Sequence, residues 1–292
     1  MVPVPMRTKL HNCPAPAKLN LFLHVTGRRA DGYHLLQTAF QLIDRCDMLH
    51  FDVRTDGQIR RITDLVGVPH DGDLIVRAAQ LLQQRTGSRL GADIAIEKNL
   101  PTGGGLGGGS SDAATTLMVL NHLWQTGLTR PELMQLGLQL GADVPFFLFG
   151  ANALAEGIGE ELIEIQTPNR WFVIIEPGVS IPTPAIFTSA ELTRNSKPVT
   201  LADFSGVQNY LGRNDLQAVA VSMFPQVGRA LNWLAQFGEA RMTGSGSCVF
   251  GWFDTQQQAN AVASAAPEKW RTWVATTLHR HPLAKLLQNV VR

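Results

Sequence analysis

Residues 101–111 read PTGGGLGGGSS, and this stretch decides the fold. Residues 92–98 before it alternate like a strand, and apolar residues follow it at helical spacing to about Trp124. A glycine backbone can approach an anion closely, and a helix N-terminus offers unpaired N–H groups and a positive dipole end. Since six of the eleven residues are glycine, the stretch predicts a phosphate-binding loop rather than a flexible turn. The predicted contacts are Pro101, Thr102, Gly103, Gly104, Gly105, Leu106, Gly107, Gly108, Gly109, Ser110 and Ser111.

Two common phosphate-loop patterns fit this stretch poorly. The Walker pattern requires a lysine after the glycines, and none follows. The dinucleotide pattern GxGxxG matches at Gly103, Gly105 and Gly108. It also requires a second strand that ends in an acidic residue about 20 residues later. The sequence there has Trp124 and the turn residues Thr126 and Gly127, which argues against a nicotinamide cofactor.

Composition is typical of a globular protein of about two domains. The chain has 292 residues, of which 45% are hydrophobic and 17% charged. The net charge of +1 gives no reason to expect nucleic acid or an anionic membrane as a partner. Three cysteines without a CxxC pair favour a reducing compartment, and no apolar stretch is long enough for a signal peptide or a membrane span. We therefore expect a cytoplasmic protein.

The remaining chain reads as interleaved strands and helices. Strands are predicted over 19–25, 48–53, 92–98, 171–175 and 248–253, with strands and turns over 146–165. Helices are predicted over 73–84, from Ser110 or Ser111 to Trp124, from the capping box of Thr129 and Glu132 to Gly141, and over 214–222, 225–236 and 255–265. This pattern predicts a mixed α and β protein with domains at 1–163 and 164–292.

The loop pattern Pro-x3-Gly-Leu-Gly-x2-Ser-Ser resembles that of the GHMP kinases, the superfamily of galactokinase, homoserine kinase and mevalonate kinase. Residues 16–21, PAKLNL, and residues 242–247, MTGSGS, resemble two further motifs of that superfamily in the same order. The resemblance covers most of the chain. It implies an α+β, two-domain GHMP kinase fold. The N-terminal domain would bind ATP and contain a left-handed βαβ unit, an exception to the usual handedness. The C-terminal domain would be ferredoxin-like, with the active site between the two.

Four shorter stretches resemble the isoprenoid branch of the superfamily. They are residues 14–20 (PAPAKLN), 27–34 (GRRADGYH), 140–146 (LGADVPF) and 177–184 (PGVSIPTP). This resemblance implies that ATP, with Mg²⁺, phosphorylates the 2-hydroxyl of a methylerythritol carrying a cytidine diphosphate group, in the non-mevalonate pathway. The expected partner is thus a small molecule, with neither nucleic acid nor membrane. We expect a monomer or a weak homodimer.

By resemblance, Asp143 is the general base and Lys18 its neighbour. An ammonium group nearby keeps a carboxylate ionised and stabilises charge that develops on the transferred phosphoryl group. From the residues alone, a surface lysine is the favoured interpretation of Lys18, and a cap or turn residue after Gly141 that of Asp143. Only the motif context reverses this preference. Whether Asp143 removes the proton or only orients the hydroxyl stays open.

The resemblance also implies an acceptor site. Tyr33 and Phe187 would stack on the cytosine, and His34 would contact its edge through ring and backbone. Asn20 and Thr183 would place the erythritol or diphosphate end. The alternatives are that Tyr33 and His34 belong only to the turn at Asp31 and Gly32, and that Phe187 is a core residue.

Two charged residues near the loop have more than one interpretation. Lys98, at the end of the strand before the loop, would contact the nucleotide base by resemblance, or is a plain strand-end lysine. Asp112 either stabilises the helix through its dipole or acts with Mg²⁺, because it would otherwise repel a triphosphate.

Two other functions remain as alternatives. A GHMP kinase with a smaller acceptor, such as homoserine or mevalonate, needs no base-stacking residues, so Tyr33, His34 and Phe187 argue against it. An RNA-binding relative of the N-terminal domain is disfavoured by the near-neutral charge and by the presence of both Lys18 and Asp143.

Overall fold

The computed structural model of the protein describes residues 7–30, 32–200 and 212–287. Its strands are β1 (Lys9–Arg28), β2 (His34–Arg54), β3 (Ile59–Arg61), β4 (Gly91–Glu97), β5 (Ala153–Glu156), β6 (Glu161–Glu164), β7 (Trp171–Glu176), β8 (Ala240–Met242), β9 (Val249–Phe253) and β10 (Arg271–Leu278). Its helices are α1 (Leu74–Thr86), α2 (Gly108–Leu123), α3 (Arg130–Leu138), α4 (Val144–Phe149), α5 (Thr183–Thr188), α6 (Asp215–Met223), α7 (Pro225–Leu234) and α8 (Gln256–Ser264). Short 3-10 turns lie at His70–Gly72 and Ala284–Leu287.

The N-terminal part is built on the long antiparallel pair of β1 and β2. One edge of β2 pairs with β1 along nearly its whole length. The other edge pairs with β5, β10 and β4 in turn. Strands β3 and β4 are parallel and are joined through α1, which gives the βαβ unit of this part. The left-handed crossing of that unit stays a prediction. Helices α1 to α4 contribute to the main hydrophobic core beside these strands.

The C-terminal strands have the spatial order β10-β7-β9-β8, and each neighbouring pair is antiparallel. Counted along the chain within this part, that order is 4-1-3-2. Along the chain, helices α5 to α7 lie between β7 and β8, and α8 lies between β9 and β10. This is the ferredoxin-like arrangement that was predicted. Strand β10 also pairs with β2, so the two parts share one sheet. The predicted domain boundary falls within β6 and stays a prediction.

Three features of β1, α2 and α4 differ from the sequence prediction. Every residue of β1 over 15–25 is buried, because this strand is covered on both faces, so Lys18 is not a surface lysine. Helix α2 begins at Gly108 with Gly107 as its cap, and neither Ser110 nor Ser111 caps it. Residues 146–149 form part of helix α4, where strands and turns were expected.

Two helix starts agree with the prediction. The Asp73 carboxylate accepts a hydrogen bond from the backbone N–H of Ile75 at the start of α1. Thr129 and Glu132 form both hydrogen bonds of a capping box at α3, although this helix ends at Leu138, before Gly141. In the described part of the chain, no helix has the length and apolar character needed to cross a membrane.

Candidate active site

A cleft of about 560 Å³ lies where the phosphate loop, β1, α4 and α5 meet. Most of the predicted site residues line it: Lys18, Asn20, Lys98, Pro101, Thr102, Gly103, Gly104, Gly105, Gly107, Gly108, Gly109, Ser110, Asp143, Thr183 and Phe187. Leu106 and Ser111 are fully buried behind the loop, and Tyr33 and His34 lie outside the lining. The structure therefore places residues from both halves of the chain around one cavity.

The start of α2 faces this cleft without a side-chain cap. Gly107 adopts a left-handed conformation (φ +73°), which favours glycine, and directs the chain into the helix. The first N–H groups of a helix have no partner within the helix. Those of residues 108–110 are therefore available to an anion that enters the cleft. Such an end carries a partial positive charge and binds phosphate groups well.

The loop of residues 242–247 packs directly against the phosphate loop. A Cβ atom on Gly105 would lie 2.1 Å from the Thr243 carbonyl oxygen, so only glycine permits this approach. The backbone N–H of Cys248 donates to the Gly104 carbonyl at 3.1 Å. On the other side, the N–H of Lys18 donates to the Leu106 carbonyl at 2.9 Å. The loop is thus held between β1 and the C-terminal part.

Lys18 and Asp143 form an ion pair in the cleft, with 3.3 Å between Nζ and Oδ2. The Lys18 side chain is nearly buried, whereas that of Asp143 is 33% exposed. Lys18 Nζ also donates to Asn20 Oδ1 at 2.6 Å, and Asn20 Nδ2 donates to Thr38 Oγ1 at 2.9 Å. The Thr243 hydroxyl accepts the Asn20 backbone N–H at 3.1 Å. This network fixes the ammonium group and leaves the carboxylate open to the cavity.

Lys98 pairs with two buried carboxylates, Asp47 and Asp112, and its Nζ lies 2.7 Å from Asp112 Oδ2. Asp47 also accepts hydrogen bonds from the backbone N–H groups of Asn99 and Leu100. Burial lowers the pKa of Lys98, but the two carboxylates outweigh it and raise that pKa above its usual value. Burial, helped by repulsion from Asp47 and opposed by Lys98, raises the pKa of Asp112 to about 8.

The acceptor-side residues form a second group on α5 and β2. The rings of His34 and Phe187 lie 5.0 Å apart at an interplanar angle of 31°. The hydroxyl oxygens of Thr183 and Ser245 are 2.7 Å apart. Tyr33, just before β2, is 63% exposed. Asp31, in the turn before Tyr33, lies outside the described residues.

Comparisons with known proteins show the family of this chain. A family model described as GHMP kinases N terminal domain matches residues 73–151, and one described as GHMP kinases C terminal matches residues 192–272. The 4-diphosphocytidyl-2-C-methyl-D-erythritol kinase of Janthinobacterium sp. (strain Marseille) is 65% identical over 289 residues, which is 97% of this chain and 100% of the relative. The enzyme of that name from Herminiimonas arsenicoxydans is 67% identical over 280 residues, covering 95% and 98%. The chain belongs to the 4-diphosphocytidyl-2-C-methyl-D-erythritol kinase family of GHMP kinases.

Solved structures extend the comparison to the fold of this GHMP kinase. A crystal structure of 4-(cytidine 5'-diphospho)-2C-methyl-D-erythritol kinase matches with a TM-score of 0.78 at 33% identity, over 92% of this chain and 98% of that one. The homoserine kinase of Cytophaga hutchinsonii matches with a TM-score of 0.72 at 15% identity, over 96% and 98%, which shows the fold alone. This chain is accordingly an ATP-dependent small-molecule kinase with the two-domain GHMP fold.

Sequence reasoning missed three polar residues of the kinase site. Asp47 is a single carboxylate in β2, and its partners come from a segment about fifty residues further along the chain. Thr38 and Thr243 hold Asn20, but threonine in a strand or turn carries no local signal of such a role. Residues 242–247 were found by their resemblance to a superfamily motif, and the structure places them against the phosphate loop.

Proposed function

We propose that this kinase transfers the γ-phosphoryl group of ATP to the 2-hydroxyl of 4-diphosphocytidyl-2-C-methyl-D-erythritol. One observation carries the proposal. A single cleft joins an uncapped helix N-terminus, a lysine–carboxylate pair and the ring of Phe187, which His34 contacts from outside the lining. These features suit, in order, a triphosphate, a hydroxyl that must lose its proton, and a nucleobase.

The triphosphate is assigned to the phosphate loop and the first turn of α2. The N–H groups of residues 108–110 and the Ser110 hydroxyl face the cleft and supply donors for phosphate oxygens. Lys98 lies directly behind this turn, since a Cβ atom on Gly108 would be 3.1 Å from its Nζ. Because Lys98 is paired with Asp47 and Asp112, we assign it to neutralising buried carboxylates behind the phosphates. The contact with the adenine base that the resemblance implied remains a separate prediction.

Phosphoryl transfer requires alignment and charge stabilisation more than covalent chemistry from the protein. The acceptor oxygen bonds to the γ-phosphorus, the bond from that phosphorus to the β–γ bridging oxygen breaks, and ADP leaves. Asp143 accepts the hydroxyl proton as the new bond forms. Lys18, fixed by Asn20 at 2.6 Å, pairs with the Asp143 carboxylate and stabilises negative charge on the transferred group.

The cleft suits a Mg²⁺ ion that is bound mainly through the phosphates. Each of the three carboxylates that line it already faces a cation: Asp73 pairs with Arg61, Asp112 with Lys98 and Asp143 with Lys18. Among the described residues, no group of three His, Cys, Asp or Glu side chains offers a metal cage. Mg²⁺ in kinase sites commonly keeps several waters and is held by substrate phosphates. The ion would neutralise charge on the triphosphate, with the Ser110 hydroxyl as a protein oxygen within the same turn.

The cytidine end is assigned to the α5 side of the cleft. The half-buried Phe187 ring lines the cavity and carries His34 against one face. Stacking on aromatic rings is worth about 1–3 kcal/mol per base. Tyr33, exposed on the neighbouring turn, is assigned to the other face of the base. Asn20 and Thr183 line the cavity between this end and the phosphate loop.

The test is ADP release from Mg-ATP with 4-diphosphocytidyl-2-C-methyl-D-erythritol, with homoserine and mevalonate as parallel acceptors. We expect turnover with the cytidylylated acceptor only. Asp143→Asn keeps the side-chain shape and should lower kcat by about 10²–10⁴-fold, the usual contribution of a general base. Asp254→Asn, at a carboxylate that is 72% exposed beyond β9, is the matched control and should leave kcat unchanged.

Two results would contradict the assignment. Turnover with homoserine or mevalonate but not with the cytidylylated acceptor would keep a GHMP kinase and reject this substrate. Full activity of Asp143→Asn would reject proton transfer to Asp143 whatever the acceptor is.

A further inference from the structure

Arg194 lies behind the aromatic pair and touches both of its members. Its Nε donates a hydrogen bond to His34 Nε2 at 3.2 Å. Its two terminal nitrogens donate to the carbonyl oxygens of Phe187 at 3.0 Å, Ser189 at 2.7 Å and Leu192 at 3.0 Å. All three nitrogens of the guanidinium are therefore committed, and the group is held in one orientation.

The direction of the bond to His34 determines where the imidazole keeps its proton. A guanidinium has five N–H donors, no acceptor, and does not lose a proton in proteins. Nε2 of His34 must therefore accept, which in the neutral ring leaves the proton on Nδ1. Among the described residues, Nδ1 has no hydrogen-bond partner of its own. The ring thus presents a fixed donor rather than an undefined tautomer.

The charges around the ring favour its neutral form. Burial, and the positive charges of Arg194 and Arg28, lower the pKa of His34 below its usual value. A doubly protonated ring would also place an N–H group against the Arg194 Nε–H. Cytosine carries two acceptors, N3 and O2, on the edge that its amino group shares, so a single fixed N–H donor matches that edge.

We propose that Arg194 is a positioning residue for cytosine recognition, which fixes the tautomer and the ring plane of His34 against Phe187. The proposal rests on the proposed function for the identity of the base. The claim about the His34 tautomer does not rest on it, because that tautomer is set in the free protein before any substrate binds. Arg194 also caps the C-terminal end of α5, and the experiment must separate that stabilising role from the one proposed.

The first measurement is the ¹⁵N spectrum of the His34 ring in the free kinase. We expect an unprotonated Nε2 and a protonated Nδ1 in the natural protein at neutral pH. In Arg194→Met, which removes every donor, we expect a mixture of tautomers and a titration at higher pH, because a nearby positive charge is gone. A proton on Nε2 in the natural protein would overturn the proposal.

The second measurement is a double-mutant cycle in steady-state kinetics. Arg194→Met should raise KM for the cytidylylated acceptor about tenfold, which corresponds to ~1.4 kcal/mol, and leave KM for ATP within about twofold. In a His34→Ala background the same change should add less than about twofold, since its effect passes through His34. An equal factor in both backgrounds would show a helix cap only and reject the positioning role.

The two measurements distinguish a failure of this proposal from a failure of the proposed function. If the natural protein does not phosphorylate the cytidylylated acceptor, the proposed function fails, and the spectrum alone decides whether Arg194 fixes the ring. If turnover is normal but the spectrum shows no effect of Arg194→Met on the tautomer, only the present proposal fails.

Discussion

Two lysines in one cleft differ in what their charge does. Lys98 meets two carboxylates that are almost fully buried, so all three groups depend on one another. Lys18 meets one carboxylate, Asp143, whose side chain is a third exposed and faces the cavity. A buried charge that loses its partner is costly, whereas a solvated one is not. The comparison indicates that Lys98 serves the folded structure behind the phosphates, and that Lys18 serves the reaction.

The largest expected effect is on stability. Lys98→Met leaves the buried Asp47 carboxylate without its cation and should lower the free energy of unfolding by about 3–5 kcal/mol. Denaturant unfolding would measure the change, with Lys269→Met as control, since Lys269 is an exposed cation over Trp270. Adding Asp47→Asn to Lys98→Met removes the buried charge and should restore part of the loss. An unfolding midpoint equal to that of the natural protein would mean that this carboxylate needs no cation.

Lys18→Met should have the opposite effect, a large loss of kcat with little change in the free energy of unfolding. Loss of one group that stabilises developing charge typically lowers kcat by about 10²–10³-fold. The free energy of unfolding should change by only about 1 kcal/mol, because Asp143 stays in contact with water. Single-turnover kinetics and denaturant unfolding on the same sample would measure both. A stability loss as large as that of Lys98→Met would remove the distinction between the two lysines.

The smallest expected effect is a pH dependence at Asp112. The pKa of this carboxyl is raised to about 8 in the folded state from 3.8, so between these values the folded chain holds a proton that the unfolded chain has lost. Stability from this group is therefore greatest at low pH and is lost as the pH rises through the folded pKa. Asp112→Asn cannot titrate, so its free energy of unfolding should improve relative to the natural protein as the pH rises from roughly 6 to 9. A constant difference between the two proteins over that range would contradict the raised pKa.

The phosphate loop could be predicted from residues 101–111 because glycine repeats, a strand and a helix start are all local signals, whereas the two-domain fold and the roles of Lys18 and Asp143 came from the family resemblance. The burial of Lys18 could not be predicted, because strand alternation alone predicts one exposed face, and β1 is covered on both. Asp47 could not either, since the backbone groups that fix it belong to Asn99 and Leu100. Arg194 gave no signal because an arginine in a polar loop is normally solvated. Motifs made of neighbouring residues could be predicted, whereas contacts between residues distant in the chain could not.

The pairing of β10 with β2 has a consequence for the nascent chain. One edge of β2 is completed by three strands, and the pairs of Ile43 with Thr277 and of Leu42 with Leu278 form only when the last strand has been made. At about 5–20 residues per second, the ribosome leaves this edge open for on the order of ten seconds or longer. An open strand edge can pair with other chains. The β2 edge at Leu42 and Ile43 is therefore open to pairing with other chains until the C-terminal strand closes the sheet.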